Sequence, residues 1–462
     1  MDIALLGQVC PERKRYFMSK FLKRFLTFLV GLVVLLLVGA ASWLGFNPPE
    51  LLRVGTGYAA KIVCSNVFIA KRDADAVLAD DVQAPGNPLL KFLNVAVDDD
   101  TDTVTVRIFG FFAPSKAVFL PGQGCANVQS TDSRSVGSDE AAQASSQPLN
   151  VAISDKVQSV IEDKELAGAG MRAIAVIHNG QLIAETYGEG FNADTPLLGW
   201  SMTKSVMATL IGMRIGENRM DLAKSDLLPE WQNDERARIT IANLMAMESG
   251  LRFNENYGAV ADVTRMLFLE KDMAGFAASL PLEAAPGTKF NYSSGTANIL
   301  SRLFMNSFDS RNAALVYPRI ALFEPLGMSS ALLETDASGV FAGSSYMYAT
   351  ARDWARLGAF LAEGGKLDGR EVLPADFVAF MRKPSAASDG RYGSAQVWLQ
   401  SGGAKAGEDG IPDDAFWMSG HDGQTVMIVP SLHLSVVRLG LTPSRSGYSV
   451  QNLDAQIIEA LR

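Results

Sequence analysis

The chain has 462 residues, 48% of them apolar and 20% charged, with a formal net charge of −9. That length and apolar content support a large core, with room for more than one domain. The acidic balance and the absence of a basic stripe interleaved with aromatic residues argue against nucleic acid as a partner. With only three histidines and three cysteines, none at metal-ligand spacing, no metal and no cofactor is expected.

Residues 1–24 carry a basic cluster, Arg13, Lys14, Arg15, Lys20, Lys23 and Arg24. An uncharged run follows from Phe25 to Phe46, long enough to cross a bilayer as a helix. The flanking charge places the N-terminus in the cytoplasm and exports the rest of the chain. A cleaved signal peptide, with Val38 and Ala40 before the cut, is the rival reading. Length, and the stop at Pro48 and Pro49 only after a full span, favour an uncleaved anchor over residues 25–46. Translation from Met18 instead of Met1 is an alternative start.

Residues 47–126 read as a small β-rich module. Cys64–Ile69, Leu93–Val97 and Thr103–Phe112 have strand-like β-branched and aromatic content, and Asp98–Asp102 is an acidic turn. Cys64 and Cys125 bracket this module; in an exported chain they are candidates for a disulfide, while Cys10 stays in the cytoplasm. Residues 127–148, rich in Ser, Gln, Ala and Asp, have linker composition.

The main domain spans 149–462. Val151–Asp163 has helical periodicity. The apolar runs Arg172–His178 and Gln181–Tyr187 flank Asn179-Gly180, a strong hairpin signal. Helical patterns fill 201–216, 240–247 and 350–363. Phe416–Ser419, Thr425–Val429 and Leu434–Leu439 read as strands, and a last helix runs from about Val450 to Leu461. Strands at both ends with helices between predict an α/β (α+β) fold, an antiparallel sheet completed by both ends of the domain and flanked by helices, with an all-helical region.

Gly199-Trp-Ser-Met-Thr-Lys-Ser205 carries the chemistry. Ser201 and Lys204, three residues apart, project from one face of a helix starting there. Burial lowers a lysine pKa and makes it a base able to activate a serine hydroxyl. Leu197, Leu198 and Trp200 before the pair, and Val206, Met207, Leu210 and Ile211 after it, suit a buried helix rather than a polar surface. Tyr292-Ser293-Ser294 offers a phenol that can pass a proton to a leaving group or, with a depressed pKa, act as a base. Gly420-His421-Asp422-Gly423-Gln424 precedes a strand; the backbone N–H groups of Ser201 and Gln424 are the oxyanion donors expected. A Ser-His-Asp triad is disfavoured, since no Gly-x-Ser-x-Gly elbow surrounds Ser201.

These motifs, in this order, resemble the serine β-lactamase and penicillin-binding protein superfamily over about two thirds of the chain. The likeness is greatest to its class C β-lactamase-like branch of esterases and 6-aminohexanoate-dimer hydrolases. Ser201-Met-Thr-Lys204 matches the family's Ser-x-x-Lys, Tyr292-Ser-Ser294 takes the place of Tyr-x-Asn, and His421-Asp-Gly423 that of Lys-Thr-Gly. Glu248-Ser249-Gly250-Leu251 lies where the family carries a Ser-Gly-Leu turn. Glu255-Asn-Tyr257 resembles a dimer-hydrolase loop whose tyrosine closes over the substrate amide. The resemblance implies an acyl-enzyme on Ser201, proton transfer by Lys204 and Tyr292, and a substrate cleft lined by His421, Gly423, Tyr257 and Ser294. His421 removes a permanent cation that helps hold a β-lactam carboxylate, and Ser294 removes an amide contact. Both changes favour a small-molecule ester or amide. The alternatives are a peptidoglycan DD-peptidase or weak β-lactamase, and a binding or sensor module without turnover.

Overall fold

The computed structural model describes residues 11–84, 86–128 and 148–462, without the side chains of residues 11–19, 37, 40, 41 and 444. Cys10, Met1 and most of the 127–148 linker lie outside the described residues.

Helix α1 runs Pro11–Phe46 and α2 Glu50–Phe68. Along α1, described apolar side chains such as Phe21, Phe28 and Leu35 are exposed. Among the described residues no helix is long and apolar enough to cross a membrane. The transmembrane reading of residues 25–46 therefore gains no support from the fold.

The region that follows is not all β. Cys64–Ile69, expected as a strand, instead forms the last turn and C-cap of α2. The reason is tertiary: α2 is buried on nearly all sides, so β-branched and aromatic residues that suit a strand pack equally well around a helix. Against it lies an antiparallel meander, β1 Leu93–Asp98, β2 Thr103–Ile108, β3 Phe112–Leu120 and β4 Gly124–Val128, in the order β1-β2-β3-β4. The Asp98–Asp102 turn joins β1 to β2. A disulfide between Cys64 and Cys125 ties α2 to β4.

Buried polar links fasten this unit to the body. Lys61 Nζ donates to Glu334 Oε2 at 2.6 Å and to Ser65 Oγ at 2.7 Å, while Glu334 Oε1 accepts from Ser65 at 2.9 Å and from the Cys125 N–H at 2.7 Å. Asp81 receives bidentate pairs from both Arg72 and Arg172. At Gly57 a Cβ would sit 2.6 Å from the Phe268 carbonyl oxygen, so only glycine lets α2 approach so closely.

The body is built on a six-stranded sheet. Its strands are β5 Asn150–Val151, β6 Met171–His178, β7 Gln181–Tyr187, β8 Phe416–Gly420, β9 Gln424–Val429 and β10 Leu434–Gly440, in the order β8-β9-β10-β6-β7-β5. All neighbours are antiparallel except β5 and β7. The β6–β7 hairpin turns on Asn179 and Gly180, both at positive φ, the conformation that its two-residue turn requires. Between β7 and β8 the chain forms the helical region, including α4 Thr203–Gly216, α5 Ser294–Asn306 and α6 Ala351–Ala362; α3 is Asp155–Glu162 and α7 Gln451–Ala460.

Both faces of the sheet are covered, and side chains alternate between two cores. Ala173, Ala175, Ile177, Val437 and Leu439 join the large core with α4, α5 and α6. Ile174, Val176, Met427 and Val436 join a second core with Val157 and Ile161 of α3 and Leu453 and Ile457 of α7. That double burial explains why these strands read as continuous apolar runs rather than polar–apolar alternation.

Candidate active site

The nucleophile segment begins where Leu197 and Leu198 pair with Ala349 and Tyr348. Gly199 N–H then donates to the Met347 carbonyl at 3.0 Å. A 3-10 turn, Trp200–Met202, leads into α4, and Trp200 has φ +48°. A bulky residue in that left-handed region is strained, and such strain persists only where the surroundings over-determine it. Here Trp200 is wedged against Tyr346 and His421, and the Thr203 hydroxyl holds its carbonyl at 2.7 Å.

Ser201 and Lys204 come together as their spacing predicts. Lys204 Nζ donates to Ser201 Oγ at 2.9 Å, Ser294 Oγ at 3.1 Å and the Ser344 carbonyl at 2.9 Å. The amine is 1% exposed, and desolvation lowers its pKa to about 8 against an opposing pull from Glu255. An amine so placed is deprotonated in an appreciable fraction near neutrality; its contact with Ser201 then reverses, the hydroxyl donating to the nitrogen lone pair.

Tyr292 and Ser294 flank Ser293, whose side chain caps α5 by accepting the Thr296 N–H at 3.0 Å. The Tyr292 ring lies 4.8 Å from Lys204 Nζ and packs on Trp398 and Tyr392. Burial foremost, then Glu255, pushes its phenol up, against a smaller opposing pull from the neighbouring Ser201 and Trp398 side chains. Of the two roles the sequence left open for Tyr292, burial favours the neutral phenol, suited to donating a proton, over a phenolate base.

Glu255 is the residue that the sequence did not single out as functional. Its carboxylate accepts the Ser294 N–H at 2.8 Å and the Ser294 hydroxyl at 2.5 Å. Because Lys204 donates to that same hydroxyl, Glu255, Ser294 and Lys204 form one relay. Ser294 Oγ thus sits between the Glu255 carboxylate and the Lys204 amine. The signal available in the sequence was the Glu255-Asn-Tyr257 loop, noticed for its tyrosine.

Tyr257 stacks on His421 with ring centroids 4.7 Å apart and stands edge-on to Trp200 at 6.4 Å. Its buried hydroxyl faces those of Ser294 and Ser345 without a well-formed hydrogen bond to either. His421 is partly exposed and lies 3.5 Å from Asp422. In the turn after β8, Gly420 pairs with Gln424, and Asp422 and Gly423 are both at positive φ. A Cβ on Gly420 would lie 2.2 Å from the Gly199 carbonyl oxygen, so the β8 end of this hairpin is pressed against the nucleophile turn. The Gln424 side chain points away, binding the Gly440 backbone through both its amide N–H and its oxygen. Among the described residues no group of three or more His, Cys, Asp or Glu is placed to hold a metal ion.

Fold and site together define a class. Residues 155–451 match the family model described as Beta-lactamase, and the chain belongs to that family. It is 23% identical over 297 residues to the 6-aminohexanoate-dimer hydrolase of Paenarthrobacter ureafaciens, an alignment covering 59% of this chain and 72% of that one. A solved "putative 6-aminohexanoate-dimer hydrolase" from Bacillus anthracis superposes with a TM-score of 0.57 at 23% identity, over 69% of this chain and 88% of its own. A family VIII carboxylesterase gives 0.51 at 17% identity, over 67% and 98%. A penicillin-binding protein homologue from Caulobacter crescentus gives 0.51 at 18%, over 68% and 99%. At these identities the structures show a shared fold.

Proposed function

We propose that the chain is a serine hydrolase that cleaves an ester or amide through an acyl-enzyme on Ser201. The observation that carries the reading is the buried Lys204 amine, 2.9 Å from Ser201 Oγ with its pKa lowered to about 8. Neutral Lys204 takes the Ser201 proton as Oγ attacks the carbonyl carbon. The oxyanion is held by the Ser201 N–H and a backbone amide of the 420–424 hairpin, with Gln424 the donor expected from its sequence position. Tyr292 protonates the leaving alcohol or amine and is reprotonated from Lys204. Water then enters, gives its proton to the same base, and releases the acid. His421 and Tyr257 wall the cleft, and the names of the relatives agree with an ester or amide substrate.

Fluorophosphonate labelling tests the nucleophile. Wild type labels and Ser201→Ala does not; equal labelling of both sinks the assignment.

The reading extends to location. Residues 25–46 anchor the chain in a membrane and residues 47–462 are exported. Its support is the uncharged run in the sequence and the Cys64–Cys125 disulfide, which persists in an oxidising compartment. Recovery of the full-length chain in the soluble fraction after cell lysis would refute the anchor.

A further inference from the structure

Beside the catalytic residues lies a cavity of about 490 Å³ that the reaction as described does not use. One wall comes from residues outside the family-matched segment: Leu51, Leu52, Leu89, Leu90, Leu93 and Ile108. Trp200, Tyr257, Phe268 and His421 of the body form the other. On this side of the cavity Trp200, the residue before Ser201, and the Tyr257–His421 stack pack on one another.

Apart from the Tyr257 hydroxyl, which faces Ser294 and Ser345, most polar side chains on the lining are already engaged. Tyr58 donates to the Asp81 carbonyl at 3.1 Å, and Asn87 accepts the Leu89 N–H at 3.0 Å. The Thr264 hydroxyl donates to the Ala259 carbonyl at 2.9 Å, Asp422 lies 3.5 Å from His421, and Arg445 has a partner too. A polar ligand would find few hydrogen bonds there, whereas a hydrocarbon chain would bury apolar surface against leucine, isoleucine and phenylalanine. The wall is also fixed in place: the Lys61–Glu334 and Asp81–Arg172 links pin the N-terminal unit to the body, and the disulfide braces the unit internally. A preformed apolar cavity beside a nucleophile is a specificity pocket.

We propose that this cavity holds the hydrocarbon chain of the substrate's acyl group, making the enzyme selective for medium- and long-chain acyl esters or amides. The inference rests on the hydrolase reading above and gives the N-terminal unit its role. The acyl carbonyl sits at Ser201, the chain passes the Tyr257–His421 stack, and the methylenes pack between α2 and the segment before β1.

The test uses the full chain and p-nitrophenyl esters from acetyl through butanoyl and hexanoyl to octanoyl. Burial of each added methylene raises kcat/KM about three- to fourfold until the cavity is filled. Leu51 and Leu89 are each more than two fifths exposed, so a polar residue is tolerated there by the fold. Leu51→Glu and Leu89→Glu cut the octanoyl-to-acetyl ratio of kcat/KM at least tenfold. A flat or falling series in wild type overturns the proposal, as does a ratio unchanged in both variants. A second measurement does not need turnover. Ser201→Ala protein binds a fluorescent long-chain fatty acid, and Leu89→Glu in that background weakens binding at least tenfold; equal binding overturns the proposal. If no ester is hydrolysed and Ser201 does not label, the hydrolase reading fails while the binding measurement still decides the cavity.

Discussion

The most informative perturbation is Glu255→Gln, because it acts on the base through one intermediate hydroxyl. In the proposed mechanism, activity requires neutral Lys204. With its pKa at about 8, kcat/KM rises tenfold per pH unit on the acid side and levels off above about 8. The carboxylate of Glu255 holds that value up, acting across links of 2.5 and 3.1 Å through Ser294 Oγ. The two charges are therefore no more than about 6 Å apart; at an effective dielectric constant of about 20–40, that is worth about 1.5–3 kcal/mol, or one to two pH units. Glutamine keeps the shape and removes the charge. The acid limb of the kcat/KM profile accordingly moves down, to a midpoint of about 6–7, while the plateau falls because Ser294 is held less firmly. The assay is a pH–rate profile from 5 to 10 on one aryl ester, for wild type, Glu255→Gln and His421→Asn. The histidine variant leaves the midpoint in place. A midpoint that stays at about 8 in Glu255→Gln, or that moves upward, refutes the relay. A limb that vanishes in His421→Asn makes His421 the base instead of Lys204.

Lys204→Arg, which keeps the charge but cannot lose its proton, lowers kcat by about 10²–10⁴, measured by steady-state turnover. Tyr292→Phe slows amides more than aryl esters, whose leaving groups need little protonation; equal losses on both would contradict its role as proton donor. Asp454 is fully buried against Trp417 Nε1–H, and desolvation raises its pKa from 3.8 to about 7. The folded state thus holds the proton more tightly than the unfolded chain. The resulting stability is complete below about pH 4 and is lost as pH rises through 7. Asp454→Asn removes that dependence and stabilises the protein at pH 8 by up to about 4 kcal/mol, read from denaturant midpoints. Cys64→Ala with Cys125→Ala opens a loop of sequence separation 61 and costs about 4 kcal/mol in thermal or denaturant unfolding. Glu334→Leu leaves Lys61 buried without its carboxylate and costs about 3–5 kcal/mol.

The sequence by itself determined the features that depend on residues close in the chain. Asn179-Gly180 dictates its hairpin because both residues accept positive φ, and the apolar runs beside it and after Ala415 dictate the sheet. Ser201 and Lys204 meet because three residues of helical turn bring them to one face. Tertiary structure decided what depends on distant segments meeting. It made Cys64–Ile69 the end of a helix, since α2 is enclosed by the meander and the body and local β preference yields to packing. It also brought Glu255 to Ser294 across 39 residues, and kept the Tyr292 phenol protonated by burial that no local pattern encodes. Lastly, it set Leu89 and Leu90 opposite Trp200 and His421 around one cavity. Local sequence specifies dihedral preference and which face of an element is apolar. Desolvation, charge relays and cavities arise only when separate elements exclude water from the space between them.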